Sequence, residues 1–293
     1  MQRRSFLLGS LSSLLGASSV WGESASLPTL ARTPKMPVMF VGHGSPMNAI
    51  TPNTFHRTWQ KIGKTLPQPS AILVISAHWR SHNGTVVMAT PEPETIHDFG
   101  GFPDKLFAQQ YPSPGSPQAA QLTFDLLKKN AALHAKVDYE QGLDHGTWSV
   151  LLPMFPKANI PVFQVSIDYD KPAAYHYRVG QQLAALRERG VLIIGSGNLV
   201  HNLWIEDQSN EKPYDWAQDF DAQATRALQS HNDKALIQLS QNPNLTPLAH
   251  PSLEHFWPLF YVLGAKNTQD NIQFFNQGYD GSAISMRSVI FSA

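Results

Sequence analysis

Twelve histidines and no cysteine decide which chemistry this chain can carry. Without thiols there can be no disulfide, no thiolate nucleophile, no iron–sulfur cluster and no cysteine-type zinc site. Any metal must sit on His, Asp or Glu. Two histidines follow apolar runs: His43 in Val41-Gly42-His43-Gly44-Ser45-Pro46, and His78 in Ser76-Ala77-His78-Trp79. Neutral imidazole is a good ligand for Fe(II) and Zn(II). Histidines leaving two neighbouring strands can converge, because sites in open α/β sheets gather outside the C-terminal strand ends. The plain alternative for each is a hydrogen-bonded structural residue. His201 closes a third such run, after Gly195-Ser196-Gly197-Asn198-Leu199-Val200. That glycine-rich stretch could cradle phosphate, but it lacks the P-loop lysine and does not match G-x-G-x-x-G.

A fourth cluster is His250-Pro251-Ser252-Leu253-Glu254-His255-Phe256. If Pro251 opens a helix, Glu254 and His255 point about 100° apart, so one ion would take one of them. The candidate ligand set is therefore His43, His78 and His255, or His43, His78 and Glu254, the latter being the two-histidine-one-carboxylate arrangement of Fe(II) oxygenases. His145, in Leu143-Asp144-His145-Gly146-Thr147-Trp148, reads equally as a loop residue bonded to Asp144 or as a substrate or proton-transfer residue. No serine nucleophile stands out, since Gly195-Ser196-Gly197 is not a G-x-S-x-G elbow. His56, His82, His134, His176 and His231 lie on polar or amphipathic stretches and read as surface residues.

The elements that must position these groups are legible as periodicity. Pro37–Val41, Ala71–Ser76, Val162–Ile167 and Val191–Ile194 read as buried strands, and Ile284–Ile290 as a late one. Thr85–Ala89 follows an Asn83-Gly84 turn signal and is expected to pair close by. Helical spacing marks Pro117–Lys129, Ala173–Arg189 with Gly190 as its stop, Asp215–Ser230 and Lys234–Ser240. Pro251–Leu263 is apolar on more than one face and should be a buried helix. Residues 96–114 form a Gly/Pro/aromatic loop, either a site wall or a crossover. Strands alternating with helices give an α/β class: one large domain with a central mainly parallel or mixed sheet flanked by helices.

Lys plus Arg equals Asp plus Glu, 22 against 22, with no basic run, so nucleic acid is not an expected partner. Arg3-Arg4-Ser5-Phe6-Leu7-Leu8 and the apolar stretch after it read as a twin-arginine export signal spanning about residues 1–30. An ordinary secretory signal or an uncleaved anchor is the alternative. The first reading implies the twin-arginine machinery as a partner and a periplasmic location for the mature chain.

Taken in order, GHGSP, SAHW, HDFGGFP, LDHGTW, GSGNLVHNL and HPSLEHFWPL resemble the class III extradiol ring-cleaving dioxygenases, nearest to the DOPA 4,5-extradiol dioxygenase-like group. The likeness runs from about Met36 to the C-terminus and implies a catalytic domain over 36–293. It implies metal ligands at His43, His78 and His255, the last where protocatechuate-cleaving relatives carry Glu. It implies an acid/base at His201, close enough in this group to count as a fourth ligand, and a substrate- or oxygen-contacting residue at His145. His97, Asp98, Phe99 and Phe102 would form pocket wall. Trp79, Phe99, Phe102 and Trp148 are candidates to pack the substrate ring, with core packing the alternative for each. The implied cofactor is one divalent metal per chain, Fe(II) for activity, although an all-histidine site also suits Zn(II). The implied substrates are a small catechol and O2. Two other readings compete: a zinc hydrolase on the same histidines, and a non-catalytic periplasmic metal-binding protein.

Overall fold

The computed structural model describes residues 30–207, 209 and 212–293. Nearly all of the signal-like segment lies outside them. The strands are β1 Val38–Gly42, β2 Ala71–Ser76, β3 Arg80–Ser81, β4 Val86–Met88, β5 Lys136–Asp138, β6 Val162–Gln164, β7 Ile167–Asp168, β8 Val191–Gly197, β9 Asn271–Phe275 and β10 Ser288–Ser292. The helices are α1 Thr54–Thr65, α2 Asp104–Phe107, α3 Pro117–Leu127, α4 His145–Met154, α5 Ala173–Leu183, α6 Asp215–Gln229, α7 Asp233–Leu239, α8 Thr246–Ala249 and α9 Trp257–Ala265.

Six strands form the central sheet in the order β6-β2-β8-β1-β10-β9. β6, β2, β8 and β1 are mutually parallel, while β10 runs antiparallel to both β1 and β9. The sheet is therefore mixed, with a parallel centre. β1 and β2 are buried at every position, as expected of strands covered on both faces. Because β1, β2 and β8 run the same way, the segments bearing His43, His78 and His201 all leave the sheet at one edge.

The alternation of side chains along β8 sets the two layers. Ser196 faces α4 and donates to the Gly146 carbonyl at 2.6 Å. Gly195 and Gly197 face the other way, under the start of α9. A Cβ at 197 would fall 2.1 Å from the His255 carbonyl oxygen, and one at 195 would fall 2.5 Å from that of Pro258. The glycine-rich stretch is thus the end of a strand that lets another backbone approach, and the phosphate-cradle alternative is not needed. The Asn198 N–H donates to the His255 carbonyl at 2.9 Å, fixing the approach.

α9 is buried along its whole length and packs on α5 and across β8, β1 and β2. Each of its large apolar side chains contributes roughly 1.5–3 kcal/mol by leaving water. The sequence places this helix correctly but starts it too early. Leu253–His255 is a 3-10 turn and α9 begins at Trp257.

Other boundaries differ for physical reasons. The run 162–167 splits into β6 and β7, which belong to different sheets. β4 pairs in parallel with the distant β5, not across the Asn83-Gly84 turn. Instead the Gly84 N–H donates to Asp168 Oδ2 at 2.7 Å and its carbonyl accepts from Ser81 Oγ at 2.8 Å, tying the turn to β3 and β7. The late strand starts at Ser288, and Ile284 and Ser285 make only single bridges, to His201 and Tyr279. His176 is not a surface residue. It is fully buried in α5, with Nε2 donating to the Lys171 carbonyl and Nδ1 beside the Tyr261 hydroxyl, each at 3.1 Å.

Candidate metal centre

Each histidine of the candidate set arrives by its own route. His43 follows β1, and the chain then turns through Gly44 with φ +54°. A side chain there would meet Met286 Sδ at 2.4 Å, so the turn needs glycine. Asp280 Oδ2 secures that loop, accepting from the Ser45 N–H at 3.0 Å and from Asn48 Nδ2 at 2.9 Å. His78 follows β2. His145 opens α4, which sequence periodicity alone left as a loop. Its N-cap is Asp144, whose Oδ1 accepts from the Thr147 N–H at 3.1 Å and from Ser76 Oγ at 2.5 Å. His255 is delivered by the turn pressed against Gly197.

These rings meet. His43 lies 5.1 Å from His78, 5.8 Å from His145 and 5.2 Å from His255 between ring centroids. His78 lies 3.8 Å from His145 and 5.1 Å from His255. His201 stacks face to face on His255 at 3.5 Å, with planes 5° apart. His43, His78 and His145 each offer a donor atom within 4.8 Å of the others.

Hydrogen bonding fixes which nitrogen faces inward. Ser196 Oγ gives its own proton to Gly146, so at 3.0 Å it accepts from His43 Nδ1. Asp98 Oδ2 lies 3.3 Å from His78 Nδ1. A carboxylate only accepts, so this ion-pair contact favours the proton on Nδ1, although it lacks hydrogen-bond geometry. Both Nε2 atoms are then bare lone pairs, and they face each other 3.2 Å apart. Two lone pairs at that distance repel unless a cation lies between them. Donors at ~2.0–2.1 Å from one tetrahedral ion stand ~3.3 Å apart, which matches.

His255 adds a second sign. Both of its ring nitrogens are buried and lack hydrogen-bond partners, which is costly unless something else engages them. Its neighbour Glu254 Oε1 lies 3.5 Å from Nδ1 and accepts from Ser252 Oγ at 2.8 Å. The residues present fit a divalent metal.

The electrostatics agree. Burial, then the neighbouring imidazoles His78, His145 and His201, holds His43 well below the ordinary histidine range. Burial and the rings of His201, His78 and His43 do the same to His255. Burial and His78 lower His145. His201 is drawn down to about 3, chiefly by burial, then by His250, His78 and His145. These rings are neutral at pH 7, the form that binds metal. Burial opposes ionisation of Asp98, but contact with His145 and His78 outweighs it and holds the carboxyl well below the usual range.

The expectation that His201 could be a fourth ligand meets a geometric obstacle. Imidazole lone pairs lie in the ring plane, and two parallel planes stacked at 3.5 Å do not converge on one ion. If His255 is a ligand, His201 is left free for proton transfer. His145 is not bonded to Asp144. Its Nδ1 lies 3.0 Å from Asp98 Oδ1, and its backbone N–H donates to the same oxygen at 2.9 Å.

The aromatic candidates divide. The Phe99 ring stands nearly perpendicular to the His145 ring at 5.4 Å and is backed by Phe102 at 5.3 Å and Phe107 at 5.1 Å. Trp148 is fully buried and donates Nε1–H to the Ile96 carbonyl at 2.9 Å. It supports the wall from behind, and core packing is the correct alternative for it. His97 braces the loop, with Nε2 donating to the Gln109 carbonyl at 3.0 Å. Trp79 is half-buried against the core and pairs with none of the five rings among the described residues. Sequence reasoning passed over Ser196 and Phe107, and treated Asp98 only as wall. Ser196 was detectable as the one polar residue between two glycines of a strand. Nothing in the sequence ties Asp98 to His78 and His145.

A parallel-centred α/β sheet with histidines gathered past the C-terminal ends of its strands defines an α/β protein with a candidate histidine metal centre. The family model described as the catalytic LigB subunit of aromatic ring-opening dioxygenase matches residues 31–291. The chain belongs to this family and is an aromatic ring-opening dioxygenase. It is 45% identical over 267 residues to the 4,5-DOPA dioxygenase extradiol of Escherichia coli (strain K12), covering 87% of this chain and 94% of that one. The Beta vulgaris protein of the same name is 36% identical, with 87% and 96% covered. The crystal structure of an uncharacterized protein from Escherichia coli K12 matches with a TM-score of 0.75 at 41% identity, over 87% of this chain and 99% of that one.

Proposed function

We propose that this chain opens the ring of a DOPA-type catechol by extradiol cleavage, with one Fe(II) held by His43, His78 and His255. The observation that carries the metal is the approach of His43 Nε2 and His78 Nε2 to 3.2 Å while each Nδ1 faces an oxygen acceptor. His255 is taken as the third ligand because both of its ring nitrogens are buried without a hydrogen bond, whereas His145 has one such nitrogen, Nδ1, and that one lies 3.0 Å from the Asp98 carboxylate. The relatives named above support the substrate class. The all-imidazole donor set also suits zinc, so the metal must be tested directly.

When bound, a redox-active ion brings catechol and O2 together and lets electron density pass between them. The remaining work falls to the chain. His201 is neutral at the working pH and begins as a proton acceptor, taking a proton from a catechol hydroxyl and returning one to oxygen as the ring opens. His145, beside His78, is placed to hydrogen-bond the substrate or oxygen. Phe99, with Phe102 behind it, offers an apolar face to the ring and keeps water from that side. Both atoms of O2 enter the product, a muconic semialdehyde.

O2 consumption with a panel of catechols, after anaerobic Fe(II) loading and beside a zinc-loaded control, tests this. Iron-dependent uptake with a yellow, pH-sensitive product is the expected result. No uptake from protein of verified metal content would overturn the proposal, and zinc-dependent hydrolysis would replace it. The paired Arg3 and Arg4 support twin-arginine export to the periplasm. Replacing both with Lys should leave the protein in the cytoplasmic fraction, and unchanged export would reject that route.

A further inference from the structure

We infer that Asp98 is a positioning residue that sets the tautomer and direction of two site histidines at once. Its carboxylate spans them, with Oδ2 at 3.3 Å from His78 Nδ1 and Oδ1 at 3.0 Å from His145 Nδ1. Oδ1 also accepts the His145 backbone N–H at 2.9 Å, so the carboxylate is anchored to the first residue of α4. Neither ring contact has hydrogen-bond geometry, so the hold of the carboxylate on both rings is chiefly electrostatic. A lone pair on Nδ1 at that distance from a carboxylate would be repelled, so the proton belongs on Nδ1 in both rings. Both Nε2 atoms are thereby left as acceptors, one for a metal and the other for a substrate or oxygen proton.

The neighbouring acid, Asp144, cannot do this. Its Oδ1 is taken by Ser76 Oγ and by the Thr147 N–H in capping α4. Ser196 fixes only His43. An ordinary exposed ion pair would be worth little, but the two rings are only 20% and 8% exposed in their side chains. Asp98 also comes from a loop and not from the sheet. Phe99, the residue that faces His145, is joined to it by one peptide bond. Gly100 and Gly101 follow with open space around them, Gly101 at φ +77°. The ring that faces His145 and the group that orients the histidines therefore sit side by side on one loop.

This inference rests on the proposed metal centre only for the use made of His78 Nε2; the tautomers are a property of the metal-free protein. Long-range 1H–15N spectra of 15N-histidine-labelled metal-free protein test it, with signals assigned from His78→Gln and His145→Gln. Both rings should be protonated on Nδ1 in the wild type. In Asp98→Asn, which retains one acceptor oxygen and places an amide N–H against the other ring, at least one ring should lose that tautomer. Zinc affinity by chelator competition should fall by roughly 10–100-fold in Asp98→Asn, and Asp98→Glu should recover part of it. A proton on Nε2 of either ring in the wild type, or wild-type zinc affinity and tautomers in Asp98→Asn, would overturn the assignment. The wild-type spectrum decides the matter even if a variant fails to fold. A wild type that binds no metal while both rings carry Nδ1 protons would reject the metal centre and keep the role of Asp98.

Discussion

Replacing His255 with alanine should separate the stability of the metal-free fold from that of the loaded one. In the metal-free chain His255 buries two ring nitrogens without partners. Each unsatisfied group costs about 1–3 kcal/mol, so His255→Ala removes about 2–6 kcal/mol of penalty. Against this, a large-to-small change at a buried site costs about 2–5 kcal/mol, which includes the loss of the ring stacked on His201. The two nearly cancel, and metal-free His255→Ala should unfold within about 2 kcal/mol of the wild type. The loaded states should differ sharply. A ligand at a thousand times its Kd stabilises the native state by about 4 kcal/mol, a gain the wild type should show and the variant should largely lose. Urea unfolding with and without zinc, run beside His145→Ala, measures both terms. His145→Ala should retain most of the metal-dependent gain. If His255→Ala keeps it and His145→Ala loses it, the ligand set is His43, His78 and His145, and the buried nitrogens of His255 serve no metal.

Three further outcomes can be checked. His201→Ala should lower turnover by about 10²–10⁴-fold, the usual range for a general acid/base, with little change in catechol affinity; unchanged turnover would remove it from the proton pathway. Gly146→Ala would set a Cβ 2.4 Å from Ser76 Oγ and 2.9 Å from His78 Cδ2. It should cost about 1–3 kcal/mol of stability from overpacking and weaken zinc binding, and wild-type affinity would show that His78 is less constrained than its contacts indicate. Burial draws His176 down to about 3. The unfolded chain then binds the extra proton between pH 6.5 and 3, so stability falls as pH drops through that window. Between pH 6.5 and 5 this amounts to about 2 kcal/mol; His176→Asn should flatten the stability curve by that amount, and an unchanged slope would refute it.

What the sequence disclosed follows the strength of local signals. Ala71–Ser76 is legible to the residue because an unbroken apolar run, Ala71 to Ile75, follows the polar Ser70 and ends at Ser76. The same rule missed α1, which buries only Trp59 and Ile62 in a largely polar stretch. It missed α4, which contains Gly146 and Pro153 and is buried on nearly every side, leaving no polar stripe to reveal the period. His176 was misread for a related reason, since one face of an amphipathic helix looks like another until its partner is known, and here the partner is α9. At the site, His43, His78 and His201 were legible because each ends an apolar run. Asp98 was not, because its meaning lies in two contacts across the fold. The stack of His201 on His255 is likewise a relation between the end of the β8 segment and the entry to α9, invisible in either segment alone.

The placement of Gly197 under the His255 carbonyl has a consequence for the order of events in the life of the molecule. In the proposed ligand set the donors come from residues 43, 78 and 255, and the last is held against the end of β8 by the turn that leads into α9. A growing or partly folded chain can present the first two imidazoles but not the third. On that ligand set, tight metal capture would be a late step that reads out completed assembly, and an ion once held would tie the beginning of the domain to its end. A molecule carrying the ion on all three histidines is by that fact one whose closing helix has been seated.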